Sequence, residues 1–199
     1  MPRIRAATVA EHRDRTMSCL LDAFEEALAE QDFADVTLAG VAERAGIARN
    51  TVYNYAKDKQ ALLVAVVERA MSAVLTDLDA RTAADASAEQ QLCAVVDRLL
   101  TDLSGGTPSL LVLQALQGTT HPWTRQAIPS ADRLAVRMED VLRAGVNAGE
   151  FRTIEDIPLT VAMLAGVVEA GVLALARGGR SLEGVSREVN ELVLRAVRV

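Results

Sequence analysis

The chain is 199 residues long, half of them apolar, with a formal charge of −6 and aromatics at only 3%. That is enough chain to bury a core in one or two domains, and the acidic balance excludes a histone-like or polybasic binder, so any nucleic-acid contact must come from a local patch. Cys19 and Cys93 lie far apart with no C-x-x-C or histidine companion, which indicates neither a metal site nor a disulfide framework and fits a reduced, cytoplasmic setting.

The chain opens on MPRIRAATVAEHRDR, which has no apolar core and is therefore not a signal peptide. Residues 1–10 read as a flexible arm, either a plain tail or a basic one whose Arg3 and Arg5 reach a minor groove. Arg13 to Glu30 forms an amphipathic helix, with Met17, Leu20, Leu21, Phe24 and Leu28 inward and Asp22, Glu25, Glu26 and Glu30 outward.

The run from Thr37 to Lys59, TLAGVAERAGIARNTVYNYAKDK, carries most of the functional information. Thr37 stands where a helix N-cap belongs, and Leu38, Val41, Ala42 and Ala45 recur at three- and four-residue spacing. Gly46 suits a positive-φ C-cap, Ile47 supplies an apolar plug, and a second helix starts near Ala48. Val52 and Ala56 share its inner face, whereas Arg49, Asn50, Tyr53 and Asn54 fall on the other. Arg and Asn have the planar forks that match guanine and adenine edges, and Thr51, Tyr53, Tyr55, Lys57 and Lys59 can hold phosphates. The pattern is that of a helix-turn-helix, with Thr37 and Arg44 completing the expected DNA-facing set. Bases gather around it: Lys57 and Lys59 are the only lysines, and Arg3, Arg5, Arg13, Arg15, Arg44 and Arg49 accompany them.

This run resembles the TetR family of ligand-responsive transcriptional regulators, whose pattern is T-x-x-x-[IV]-A-x-x-A-G-[VI]-[SA]-x-x-[TS]-[LIV]-Y-x-[YH]-F-x-[SDN]-K-x-x-L. The matching positions are Thr37, Val41, Ala42, Ala45, Gly46, Ile47, Ala48, Thr51, Val52, Tyr53, Tyr55, Lys57, Asp58, Lys59 and Leu62. The chain departs from it at Ala56, where the family usually has Phe, and at Ala48 it carries the allowed alanine where Ser or Thr usually caps the recognition helix at a gain of about 1 kcal/mol. The resemblance implies an all-α protein: a three-helix DNA-binding domain over residues 1–59, then a helical effector-binding and dimerisation domain over 60–199. It further implies a homodimer on a palindromic operator, repression relieved by a small molecule, and pairing through the last two helices.

Beyond the motif, Asp58 caps a long helix that runs to about Asp79 on Leu62, Leu63, Val66, Val67, Ala70, Val74 and Leu78. Helices follow at 87–103, 107–117, 124–148, 156–177 and 181–197, with Pro129 set to break or kink the start of the third. Ile157 to Ala176 is apolar apart from Glu169 as its only charge, long enough to suggest a membrane span, but Pro158, Thr160 and Glu169 interrupt it. A second subunit is the better cover. Ala162, Ala165, Gly166, Ala170 and Gly171 allow close approach, and Leu182, Val185, Val189, Leu192, Val193 and Ala196 add a stripe from the next helix.

The effector site has only scattered clues: Gln114, Gln117, His121, Trp123, Met138, Met163 and Glu169 stand on or beside otherwise apolar helices. Each also reads as core filler or a capping residue, and Glu169 suits a cross-subunit Arg as well as a cationic ligand. So few aromatics make an aliphatic cavity and a lipophilic effector. No G-x-S-x-G, H-E-x-x-H, phosphate loop or metal cluster occurs, and the histidines are His12 and His121 alone, so the reading is not an enzyme and needs no cofactor or metal. The competing reading is an all-helical dimeric interaction or ligand-binding module whose reader has weak or lost DNA affinity, as Ala48 and Ala56 suggest. Operator-specific, salt-dependent DNA binding separates the two.

Overall fold

The computed structural model describes residues 5–81, 86–103 and 128–199, and among these every regular element is a helix. They are α1 (Arg5–Glu30), α2 (Leu38–Arg44), α3 (Arg49–Val52), α4 (Lys59–Arg81), α5 (Ala88–Leu103), α6 (Pro129–Ala148), α7 (Ile157–Ala176) and α8 (Leu182–Val197). The expected helix at 107–117 lies outside the described residues. By packing, the chain divides into two units between Val66 and Val67, inside α4, whereas the sequence suggested a division at 59/60.

The first unit is a head built on α1. Helix α1 starts at Arg5, within the segment read from the sequence as a flexible arm. Neither Gly nor Pro occurs from Arg5 to Glu30, and alanines at 6, 7 and 10 favour continuation. Leu20, Leu21, Phe24, Ala27 and Leu28 form its buried stripe, and the Phe24 ring meets Phe33 edge-on at 6.4 Å. Val41 and Ala42 of α2 and Val52 behind α3 complete the core.

The second unit is a body arranged around α5, which packs on α6, α7 and α8. Leu92, Val95, Val96, Leu100 and Leu103 of α5 meet Leu134, Met138, Val141 and Leu142 of α6, Val161, Leu164, Val168 and Val172 of α7, and Val185, Val189, Val193 and Val197 of α8 in one apolar interior. Gly171 lets α7 approach: a Cβ there would lie 2.8 Å from Val189 and 3.0 Å from Leu100. It is thus a packing residue within the protomer, whereas Ala162, Ala165, Gly166 and Ala170 stay exposed.

Pro129 does not kink a longer helix; it opens α6 at its first turn, where its missing N–H leaves no unpaired donor. Ile128 offers no capping side chain there. The cap comes from α4, where Glu68 accepts from Ser130 N at 2.9 Å and from Ser130 Oγ at 2.6 Å, and Ser130 is completely buried. At the far end Arg152 donates from N to Val197 O and from Nε to Ala196 O, at 2.8 and 2.9 Å, tying the loop after α6 to the end of α8.

Candidate nucleic-acid interface

The head presents the reader through a turn whose hydrogen bonds follow from its residues. Gly40 N donates to Thr37 Oγ1 at 3.1 Å, so Thr37 caps α2. Gly46 takes φ 67°, and from there Gly46 N donates to Glu43 O at 3.1 Å and Ile47 N to Ala42 O at 2.8 Å. These are the paired bonds of a Schellman C-cap, with half-buried Ile47 as its apolar contact. The chain therefore leaves α2 in a fixed direction and enters α3 at Ala48, which makes no side-chain cap bond.

The reader is shorter than its sequence suggests. Regular helix ends at Val52, and Asn54 and Tyr55 bond back three residues before Ala56 N returns to Val52 O at 3.0 Å. The inward face is nonetheless as expected, with Val52 and Ala56 both buried. On the outer side Arg49, Asn50, Tyr53, Asn54 and Lys57 are exposed, Tyr53 by 61% of its surface. Thr51 and Tyr55 are half-buried.

Three expected DNA contacts are engaged inside the head. Thr37 is occupied as a cap. Arg44 makes a two-pronged pair with Glu30, Nη1 to Oε1 at 2.8 Å plus a second, shorter bond, and Glu26 stands 3.6 Å away. That hydrogen bonding holds the Glu30 carboxyl below its ordinary pKa. Lys59, at the first position of α4, donates to the carbonyl oxygens of Phe33, Ala34 and Val36 at 2.7, 2.8 and 3.2 Å, and its ammonium lies 4.7 Å from the Phe33 ring centroid. An ammonium has three donors, and all three are taken. Lys59 is a staple for the α1–α2 connection and has no donor left for a phosphate. Neither pairing was visible in the sequence, since the partners are 14 and 23 to 26 positions apart.

Arg49 reaches Glu43 at 3.4 Å, but both side chains are more than 70% exposed, so the pair is readily exchanged for another anion. Asp58 Oδ1 accepts from Ala61 N at 2.8 Å and so caps α4 as expected.

The effector candidates scatter. Gln114, Gln117, His121 and Trp123 lie outside the described residues. Met138 is core on α6, Glu169 is half-buried on α7, and Met163 is 57% exposed on the outer side of α7. Met163 thus stands apart from the apolar interior that Met138 joins. No cluster of metal-ligating side chains occurs among the described residues.

Residues 20–66 match the family model described as bacterial regulatory proteins, tetR family. Over these residues the chain is similar to tetR-family regulatory proteins. The fatty acid metabolism regulator protein of Bacillus subtilis strain 168 is 23% identical over 181 residues, covering 89% of this chain and 93% of that one. The HTH-type transcriptional regulator BetI of Escherichia coli is 39% identical over 82 residues, 39% of this chain and 41% of BetI. Among solved structures, the transcriptional regulator FadR of Bacillus subtilis in complex with stearoyl-CoA superposes with a TM-score of 0.77 at 23% identity, over 89% of this chain and 97% of FadR. The chain is thus similar to transcriptional regulators, over its head by the family model and over most of its length by the fatty acid metabolism regulator.

Proposed function

We propose that the protein is a cytoplasmic repressor that binds a palindromic operator as a homodimer and is released by a small lipophilic effector, with residues 1–59 as the reading domain and 60–199 as the effector and pairing domain. The observation that carries the DNA part is the exposed row Arg49, Asn50, Tyr53 and Asn54, held outward because Val52 and Ala56 are buried behind it. Arg49 and Asn50 would read base edges, and Thr51, Tyr53, Asn54 and Lys57 the backbone. Thr37, Arg44 and Lys59 contribute by holding the reader.

Pairing is supported by α7. It is long and apolar enough to cross a membrane, yet only 28% of its apolar stretch is buried in the protomer. Leu159, Ala162, Met163, Gly166 and Ala170 share its exposed side, and space is open around Gly166. Leu192 and Ala196 of α8 are exposed as well, while Val185, Val189 and Val193 are used internally. A second copy covers such a surface with apolar contacts of its own kind, as a lipid bilayer would, but by closed symmetry.

The effector part is supported by the aliphatic interior of the body and by the stearoyl-CoA bound to FadR. Its lining would draw on Met138, Glu169, Gln114, Gln117, His121 and Trp123. The competing reading, an interaction module with weak DNA affinity, draws support from the uncapped Ala48 and the internal use of Arg44 and Lys59. Anisotropy titration of a duplex from the gene's own promoter against a random duplex of equal length decides between them. The regulator reading expects roughly a thousandfold preference or more, falling steeply as salt rises. Equal binding overturns it and leaves the interaction module.

A further inference from the structure

Arg13 of α1 is exposed, and its Cζ stands 5.9 Å from the centroid of the Tyr55 ring at the end of the reader. Among the described residues its guanidinium has no carboxylate partner and meets no hydrogen-bond acceptor. The helix explains this: the residues three and four places away are Val9, Ala10, Thr16 and Met17, none of them acidic. Two other cations of the head are less available: Arg44 is held by Glu30 and Glu26, and Lys59 by three carbonyls. Contact with a ring consumes none of the five N–H donors that match a phosphate, and it restrains a side chain that would otherwise lose much freedom on binding.

The geometry points to Arg13 as a DNA-backbone contact supplied by α1, with Tyr55 as the positioning residue that holds it beside the reader. This rests on the proposal that the head binds DNA. It assigns Tyr55 a role different from direct phosphate binding: its half-buried ring faces Arg13, and its effect on affinity passes through that cation. In a chain of charge −6, one restrained guanidinium next to the reader is a substantial part of the local positive field.

The test is a salt series from 50 to 200 mM on the promoter duplex with full-length wild type, Arg13→Ala, Arg13→Gln, Tyr55→Phe and Tyr55→Leu, each first checked by thermal melting. Removing one phosphate contact lowers the magnitude of the slope of log affinity against log salt by about 0.9 for each bound head. Both Arg13 variants should show that loss, Tyr55→Phe should keep the wild-type slope because the ring remains, and Tyr55→Leu should move toward the Arg13 variants. Wild-type slopes in both Arg13 variants would overturn the proposal, while an unchanged slope in Tyr55→Leu would overturn the positioning role. A wild type without promoter preference would instead remove the regulator reading beneath it, and the two failures are therefore distinguishable.

Discussion

Head and body leave opposite chemistry uncovered. In the head the exposed surface around α3 is amide, guanidinium and phenol, groups that water already satisfies and that gain only from a partner offering directed acceptors. In the body the exposed side of α7 is Leu159, Met163 and small residues between them, which water satisfies poorly and any apolar surface covers. The lesson is that selectivity and stability are handled in separate places. The head can tune which partner it takes with single side chains, while the body holds a generic apolar face whose burial in the proposed dimer would set whether two readers act together.

The largest break in that contrast should come from placing a charge in the apolar face. Met163→Asp puts a carboxylate where pairing would bury it without a partner, at a cost of about 3–5 kcal/mol to association. Light scattering after size exclusion should read half the wild-type mass with the helical content unchanged. An unchanged mass would mean that α7 is covered in some other way.

Next in size are changes within the head. Tyr53→Ala, removing the most exposed aromatic of the reader, should weaken promoter binding by about 1–3 kcal/mol without altering the melting temperature. Lys59→Met should do the converse. It leaves three carbonyls without their donor and lowers stability by about 1–3 kcal/mol, while the salt slope of DNA binding stays at the wild-type value because no phosphate contact is lost. A flattened slope would return Lys59 to the DNA surface.

The smallest effect is an acid one. Glu30 in the head and Glu89 in the body are held below the ordinary carboxylate pKa of 4.5, by hydrogen bonds from Arg44 and Arg198 respectively. Because the folded value lies below the unfolded one, each pair contributes stability above that pH and loses it as pH falls through the folded value. Melting temperatures should therefore drop below about pH 4.5, and less so for Glu30's share in Arg44→Met. Both carboxylates are solvent-exposed, so the change is modest and shrinks with added salt.

The fold was largely legible because helix signals are local. Thr37, Asp58 and Gly46 each announce a helix end through their own backbone neighbours, and all three perform those roles in the structure. The inward residues Leu20, Phe24, Val41 and Val52 follow from helical spacing alone. What the sequence concealed depends on distant residues meeting. Arg44 and Lys59 look like free cations until Glu30 and the Phe33–Val36 carbonyls come beside them, and Arg13 looks like an ordinary surface residue until Tyr55 arrives. Likewise the division of α7 into inward and outward sides could not be read from a helix apolar almost throughout. Gly171 and Gly166 look alike in the sequence, yet one is pressed against Val189 and the other faces open space.

Hydroxyl-radical footprinting on the gene's own promoter shows whether two readers act together. A paired reader protects two half-sites related by a twofold axis, with centres about one helical turn or a multiple of it apart, roughly 34 Å for one turn. Uniform protection with no discrete footprint, or a single isolated half-site, would contradict it.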